Sequence, residues 1–307
     1  MTKKWNVKLV TGLFLLAVFV LIGLFGSYIA PYPADYKVKV GYMETDNGKE
    51  FVAPPLEPSE QYLFGTDKWG KDILSLILHG AKYTVFTVLI VAAVRLFAGG
   101  IAGVFGGLAA NGRKRSKHGR ITLLTSIPPV IIIYFIMLGI NINPSLSTFS
   151  LIMIQGVLMV ALGVPGVYNV VYSKTAEIKE NLFIMASVTL GGNKSHILKK
   201  HILPILKGDF IILYLNETIQ VLHLMGQLAI FNLFFGGTVF QPDFSTYISM
   251  TNEWSGLIGQ SRAFLSYTQW ILIYPLLAFM LFLFSFYLIS QGLSEQSRKS
   301  HRKNPYI

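Results

Sequence analysis

Apolar residues along this chain gather into long runs separated by short polar or basic blocks. A bilayer core needs about 20 mostly apolar residues per helix. Six runs meet that length: Leu9 to Ile29, Tyr83 to Ala109, Ile121 to Ile140, Phe149 to Tyr172, Ile205 to Phe235 and Trp270 to Ser290. They predict six membrane spans. The fifth is long enough to tilt or break. Between them lie a Pro-rich, charged loop after the first span, read as irregular or a small exposed lobe, and a polar interior block, 173–204. The predicted division is an N-terminal stretch with the first span (1–30), a loop and interfacial segment (31–80), a core of five spans (81–292) and a basic tail (293–307). The run after Lys3, Lys4 and Lys8 reads as a retained anchor, because Ser27-Tyr28-Ile29-Ala30-Pro31 lacks the small-x-small pattern of a cleaved signal peptide.

Composition agrees with that pattern. Of 307 residues, 52% are hydrophobic and 13% charged, and the mean hydropathy is +0.53; a soluble domain of this length is far more polar. The absence of cysteine excludes disulfides, thiolate metal sites and a cysteine nucleophile. A formal net charge of +11 could suggest nucleic acid, but the basic residues sit in short blocks between spans and form no single basic face, so no nucleic-acid partner is expected. Orientation in a membrane accounts for them better. Seventeen of the 26 basic residues fall on one side of the six predicted spans, whereas the first loop on the other side, Pro31 to Gly80, holds five basic and eight acidic residues. The positive-inside rule then places both termini in the cytoplasm.

The block between the fourth and fifth spans is the most informative one. Leu182, Met185, Ala186, Thr189 and Leu190 recur at helical spacing. Gly191-Gly192 breaks the helix, since glycine alone enters positive φ cheaply. A second short helix, Lys194 to His201, precedes Pro204, which starts the next span. The result is a knuckle with an apolar face and a basic rim, the shape that helix-in-groove docking requires.

In this knuckle Met185-Ala186-Ser187, then Gly191, then His201-Ile202-Leu203-Pro204 resemble the Glu-Ala-Ala, three residues, Gly, nine residues, Ile-x-Leu-Pro loop of ABC importer permeases. Met185, Ser187 and His201 depart from that pattern. Leu63-Phe64-Gly65-Thr66-Asp67-Lys68-Trp69-Gly70-Lys71-Asp72, running on to Ser75, is similar to the start of the second span in the C-type permeases of dipeptide, oligopeptide and nickel importers. So are Ile29-Ala30-Pro31-Tyr32-Pro33, Glu253-Trp254-Ser255-Gly256 and the last span. The resemblance is weakest at 37–60 and 228–237. It implies an all-α polytopic membrane protein, six transmembrane helices with a cytoplasmic coupling helix in the type I ABC importer fold, located in the bacterial cell membrane. It further implies a permease subunit for peptides or a related small solute, paired with a homologous permease, two ABC ATPase subunits and an extracellular or periplasmic substrate-binding protein. ATP and Mg would then be held by the partner subunits, with no cofactor on this chain. Coupling to the ATPases is expected to rest on Ala186, Ser187, Gly191, Leu203 and Pro204 for geometry, and on Leu182, Met185, Leu190 and Ile197 for groove contacts.

Several further features need weighing. Gly65 to Asp72 is one residue from a phosphate-binding P-loop, but Asp72 replaces the hydroxyl that holds magnesium and no apolar strand precedes Gly65. An interfacial turn and a short amphipathic helix, capped by Asp67 or Asp72, is the expectation instead. Arg95 and Glu217 lie within spans, where a charge is expensive, as an interhelical pair or as polar lining of a path. Gly99, Gly103 and Gly107 give a small-xxx-small face for close helix packing. Pro128-Pro129 and Pro165 are candidate bends. A metal role for His223 and Met225 is disfavoured. Two other classes stay open: a secondary transporter, for which only Glu217 offers an ion-coupling carboxylate, and a membrane-embedded enzyme, for which no titratable cluster is evident.

Overall fold

The structure, a computed structural model, describes residues 6–45, 48–110 and 127–303. The basic block 113–120, the start of the predicted third span (121–126), Lys3, Lys4 and residues 304–307 lie outside the described residues.

Four described helices are long and apolar enough to cross a membrane: α1 (Val7–Ile29), α2 (Ile73–Ala109), α4 (Thr148–Lys179) and α9, apolar over Trp270–Gln296 of its Trp270–Lys303 span. The chain is therefore a helical, multi-pass membrane protein. Two other predicted spans look different. α3 (Pro129–Asn141) is apolar but has only 13 residues. α7 (Leu203–Ile230) has 28 residues, but Asn216, Glu217, Gln220, His223 and Gln227 dilute its apolar character. The prolines also act differently from expectation: Pro128 caps α3 and Pro129 is its first residue, so they start a helix, as proline's fixed φ suits. Pro165 sits inside a continuous α4.

The expectation of an all-α chain is corrected by two antiparallel hairpins. β1 (Gly41–Thr45) pairs with β2 (Gly48–Val52), with Tyr42 opposite Phe51 and their rings 5.5 Å apart. β3 (Thr238–Gln241) pairs with β4 (Thr246–Ser249). The first lies within the loop 31–61, read above as irregular or a small exposed lobe. The second follows a turn at 231–237, where the backbone reverses through positive φ at Asn232, Gly236 and Gly237.

α2 runs from one end of the bundle to the other, about 55 Å at 1.5 Å per residue, and the other elements can be placed along it. Its start lies beside the end of α1, where the Tyr32 amide donates to Ser75, and beside the start of α9, where Trp270 Nε1 donates to Thr66 O. At the opposite end the start of α1 meets the last turns of α9, Asn6 donating to Gly292 O at 2.7 Å. That end also carries the knuckle, so it shares one end of the bundle with the beginning of α1 and the close of α9.

The packing has two centres. Near the start of α2, Phe19, Trp254, Phe282 and Phe286 form an edge-to-face aromatic cluster, with centroids 4.9 to 5.7 Å apart, the arrangement that ring quadrupoles favour. Near its end, Val104, Val167, Val171, Ile178, Ile184, Ile197, Ile202 and Leu206 form a second, aliphatic cluster. The glycine face read from the sequence lies between α2 and α4: a Cβ at Gly103 would stand 2.8 Å from that of Val171. Only glycine lets the two backbones approach so closely.

Candidate functional site

The knuckle is built by local chemistry. α5 (Leu182–Thr189) ends where Gly191 takes φ +88 and the Gly192 amide donates to Ser187 O at 2.9 Å, the six-to-one bond of a glycine C-cap. Thr189 Oγ1 donates to Ala186 O at 2.8 Å, satisfying another terminal carbonyl. Asn193 opens α6 (Lys194–Ile197) by accepting from the His196 amide at 2.8 Å. The second half of the knuckle then departs from the reading of a separate short helix. α6 runs through a π-helical turn (Leu198–Ile202) directly into α7. Pro204 supplies the reason, because it has no N–H for the carbonyl four residues back and its ring crowds that carbonyl. The wider turn, in which the Leu203 amide reaches Leu198 O, relieves both.

The expected contact residues separate by burial. Leu182 is 83% exposed, Leu190 90% and Met185 56%; Ala186 is exposed and Ser187 half-buried. Phe183, which the sequence reading passed over, is also exposed and tilts against His201 at 5.8 Å. Leu203 and Pro204 are exposed on the first turn of α7. Ile197 differs from its expected place, being only 7% exposed. It packs inward with Ile184 and Ile202, so it anchors the knuckle and is not on its free face. Lys199 and Lys200 are exposed on the π-turn.

Arg95 and Glu217 are brought together. Arg95 Nη1 lies 3.1 Å from Glu217 Oε2, with side-chain exposures of 4% and 6%. Its Nε and Nη2 donate to Met159 O at 3.0 and 2.7 Å. One guanidinium thus joins α2, α4 and α7, and a Cβ at Gly163 would collide with it at 2.1 Å. Lys174 and Asp209 pair at 2.5 Å nearer the knuckle. His223 is exposed and Met225 buried, and no cluster of three or more metal-ligating side chains occurs among the described residues.

The P-loop-like turn is filled from within. The amides of Gly65, Thr66, Asp67 and Gly70 already donate to Tyr62, Leu56, Lys71 and Asp67 carbonyls, so none is free to cradle a phosphate. Asp67 Oδ1 accepts from the Trp69 and Lys71 amides. Burial pushes the Asp67 carboxyl up to about 6, against those two hydrogen bonds, which pull it down. Asp72 caps α2 itself through the Ser75 amide, so the expected separate amphipathic helix is simply the start of α2. Glu253 is wholly buried and caps α8 (Trp254–Ser261) by accepting from the amide and hydroxyl of Ser255. Trp254 Nε1 donates to Ile77 O at 2.9 Å, its amide to Thr84 Oγ1 at 3.0 Å, and the backbone at Asn252 leaves no room for a Cβ on Gly80.

These features define a multi-pass helical protein that exposes an apolar knuckle at one end of its bundle and has no convergent catalytic group among the described residues. Its relatives are transport permeases. The dipeptide transport system permease protein of Bacillus subtilis (strain 168) is 26% identical over 298 residues, covering 95% of this chain and 82% of that protein. The oligopeptide transport system permease protein of the same organism is 24% identical over 304 residues, 97% and 87% of the two chains. The glutathione transport system permease protein of Escherichia coli (strain UTI89 / UPEC) is 24% identical over 302 residues, 95% and 86%. No family profile matches the chain. The resemblance read from the motifs is thus borne out: the chain is a homologue of the permease proteins of peptide ABC transport systems.

Proposed function

We propose that this chain is the permease subunit of an ATP-driven importer for peptides or a related small solute, crossing the membrane six times with both termini and the knuckle in the cytoplasm. A homologous permease completes the path, two ABC ATPases dock on the knuckles, and a binding protein delivers solute at the opposite end. ATP and Mg belong to the ATPases. The observation that carries this reading is the exposure of Leu182, Phe183 and Met185 on one short helix and of Leu190 just after it beside the basic Lys199 and Lys200, in a chain similar to peptide permeases over 95% of its length. Such an apolar face with a basic rim suits a groove on a soluble partner, and the positive-inside count puts that partner where ATP is. Ala186, Ser187, Gly191, Leu203 and Pro204 set the angle of the knuckle. Glu217 is already neutralised by Arg95, which argues against ion coupling through that carboxylate.

Reconstitution tests the proposal. In proteoliposomes with its cognate permease, ATPases and binding protein, dipeptide uptake should require ATP, and deletion of 182–200 should release the ATPases while the two permeases stay associated. Uptake by this chain without ATPases would overturn it.

A further inference from the structure

One side chain bridges the end of α2 and the root of the knuckle. Along α4, Val167, Val171 and Thr175 recur every fourth residue and lie against Gly99, Gly103 and Gly107 of α2, where an added Cβ would stand 2.7, 2.8 and 2.6 Å from theirs. The next position on that face is Lys179, the last residue of α4. Here α2 has run out, and its final carbonyls lack intrahelical N–H partners. The Lys179 ammonium donates to Leu108 O and to Ala110 O, both at 2.8 Å, and complements the negative end of the helix.

Beyond Lys179 the packing between α2 and the knuckle opens. A cavity of about 440 Å³ lies there, lined by Leu108, Lys179, Ile184, Met185, Thr189 and Ile197. Side chains across a void lack the contacts that would carry a displacement. The knuckle is joined covalently to α4 at one root and to α7 at the other, but not to α2. From α2, Arg95 reaches both Glu217 of α7 and Met159 of α4. Fixing the end of α2 to the knuckle's root would therefore make the three helices answer a push as one body.

We infer that Lys179 is a positioning residue that transmits displacement of the knuckle to α2 across this cavity, and so links ATP-driven movement to the path. The inference rests on the permease reading above.

Its test uses the full reconstituted complex carrying Lys179→Met, Lys179→Gln or Lys179→Arg, with ATP hydrolysis and dipeptide uptake measured in the same vesicles. Lys179→Met and Lys179→Gln should keep the ATPases bound and hydrolysing, while uptake per ATP falls about tenfold, the scale of one lost charge-assisted hydrogen bond. Lys179→Arg, which keeps a cationic donor, should recover much of that ratio. An unchanged ratio in Lys179→Met would sink the inference. So would a parallel fall in ATPase binding, hydrolysis and uptake, the mark of a residue needed only for folding. ATP-driven uptake by the unaltered complex is the control on the permease reading; without it that reading falls first.

Discussion

The stretches that most resemble peptide permeases in sequence sit at opposite ends of α2 and have opposite surfaces. At the start of α2, Thr66, Asp67, Asp72, Thr84, Glu253 and Trp254 are all nearly or fully buried, and their polar atoms mostly meet other parts of this same chain. At its end, Leu182 and Leu190 are 83% and 90% exposed and Met185 is more than half exposed. One motif set is internal architecture; the other is an exposed surface. Similar sequence signatures therefore carry different physical meaning, and burial tells them apart.

The largest effect should come from the buried set. Trp254→Ala removes a fully buried indole and its bond to Ile77 O, a loss of about 3–5 kcal/mol. The detergent-solubilised protein should melt far earlier or fail to accumulate. Leu190→Ser should leave the melting temperature unmoved, because Leu190 has no packing to lose. Equal melting shifts in both variants would erase the contrast between the two ends.

The Arg95–Glu217 pair sharpens it from the middle of the bundle. Arg95→Met strands Glu217 in a buried site, a destabilisation of about 3–5 kcal/mol. The double variant Arg95→Met, Glu217→Met removes both charges and should regain most of it. A double variant no more stable than the single would show that the bonds from Arg95 to Met159 O dominate.

A smaller, pH-dependent effect belongs to Asp67. Its folded value of about 6 lies above its ordinary 3.8, so the protonated form favours folding. That stability is fully present below about pH 4 and is lost as pH rises through about 6. Across this window wild-type stability should fall by on the order of 3 kcal/mol relative to Asp67→Asn, read from melting temperatures of the two proteins side by side. A difference that stays flat from pH 4 to 7 would mean that water reaches the carboxylate.

The sequence made some of this legible and hid the rest for identifiable reasons. α1, α4 and α9 followed from hydropathy because lipid demands unbroken apolar length. A close helix contact of α2 was visible in the four-residue glycine spacing, but not that α4 makes it; the end of α5 was visible in Gly191. The hairpin at 41–52 was obscured by surrounding charge and proline. The run 65–72 read as surface because of its charges; its burial depends on Leu56, Val38 and Trp270 arriving from elsewhere in the chain. Ile197 was assigned to the free face because helical spacing marks which residues share a side and not which side a neighbour covers. α7 was extended past its true end because Leu233, Phe234 and Phe235 are apolar for a different purpose, filling a turn that Asn141 and Thr251 hydrogen-bond.

The π-turn at 198–202 sets the phase of everything joined through it. Because its hydrogen bond spans five residues and not four, Ile197 and Ile202 fall towards the same side and hand over to Leu206 one α-turn later. Each residue of an α-helix advances the azimuth by about 100°, so the extra residue works like a vernier between two rods. It brings the buried stripe of the knuckle into line with that of α7, and it fixes the compass bearing at which the exposed leucines look away from the bundle.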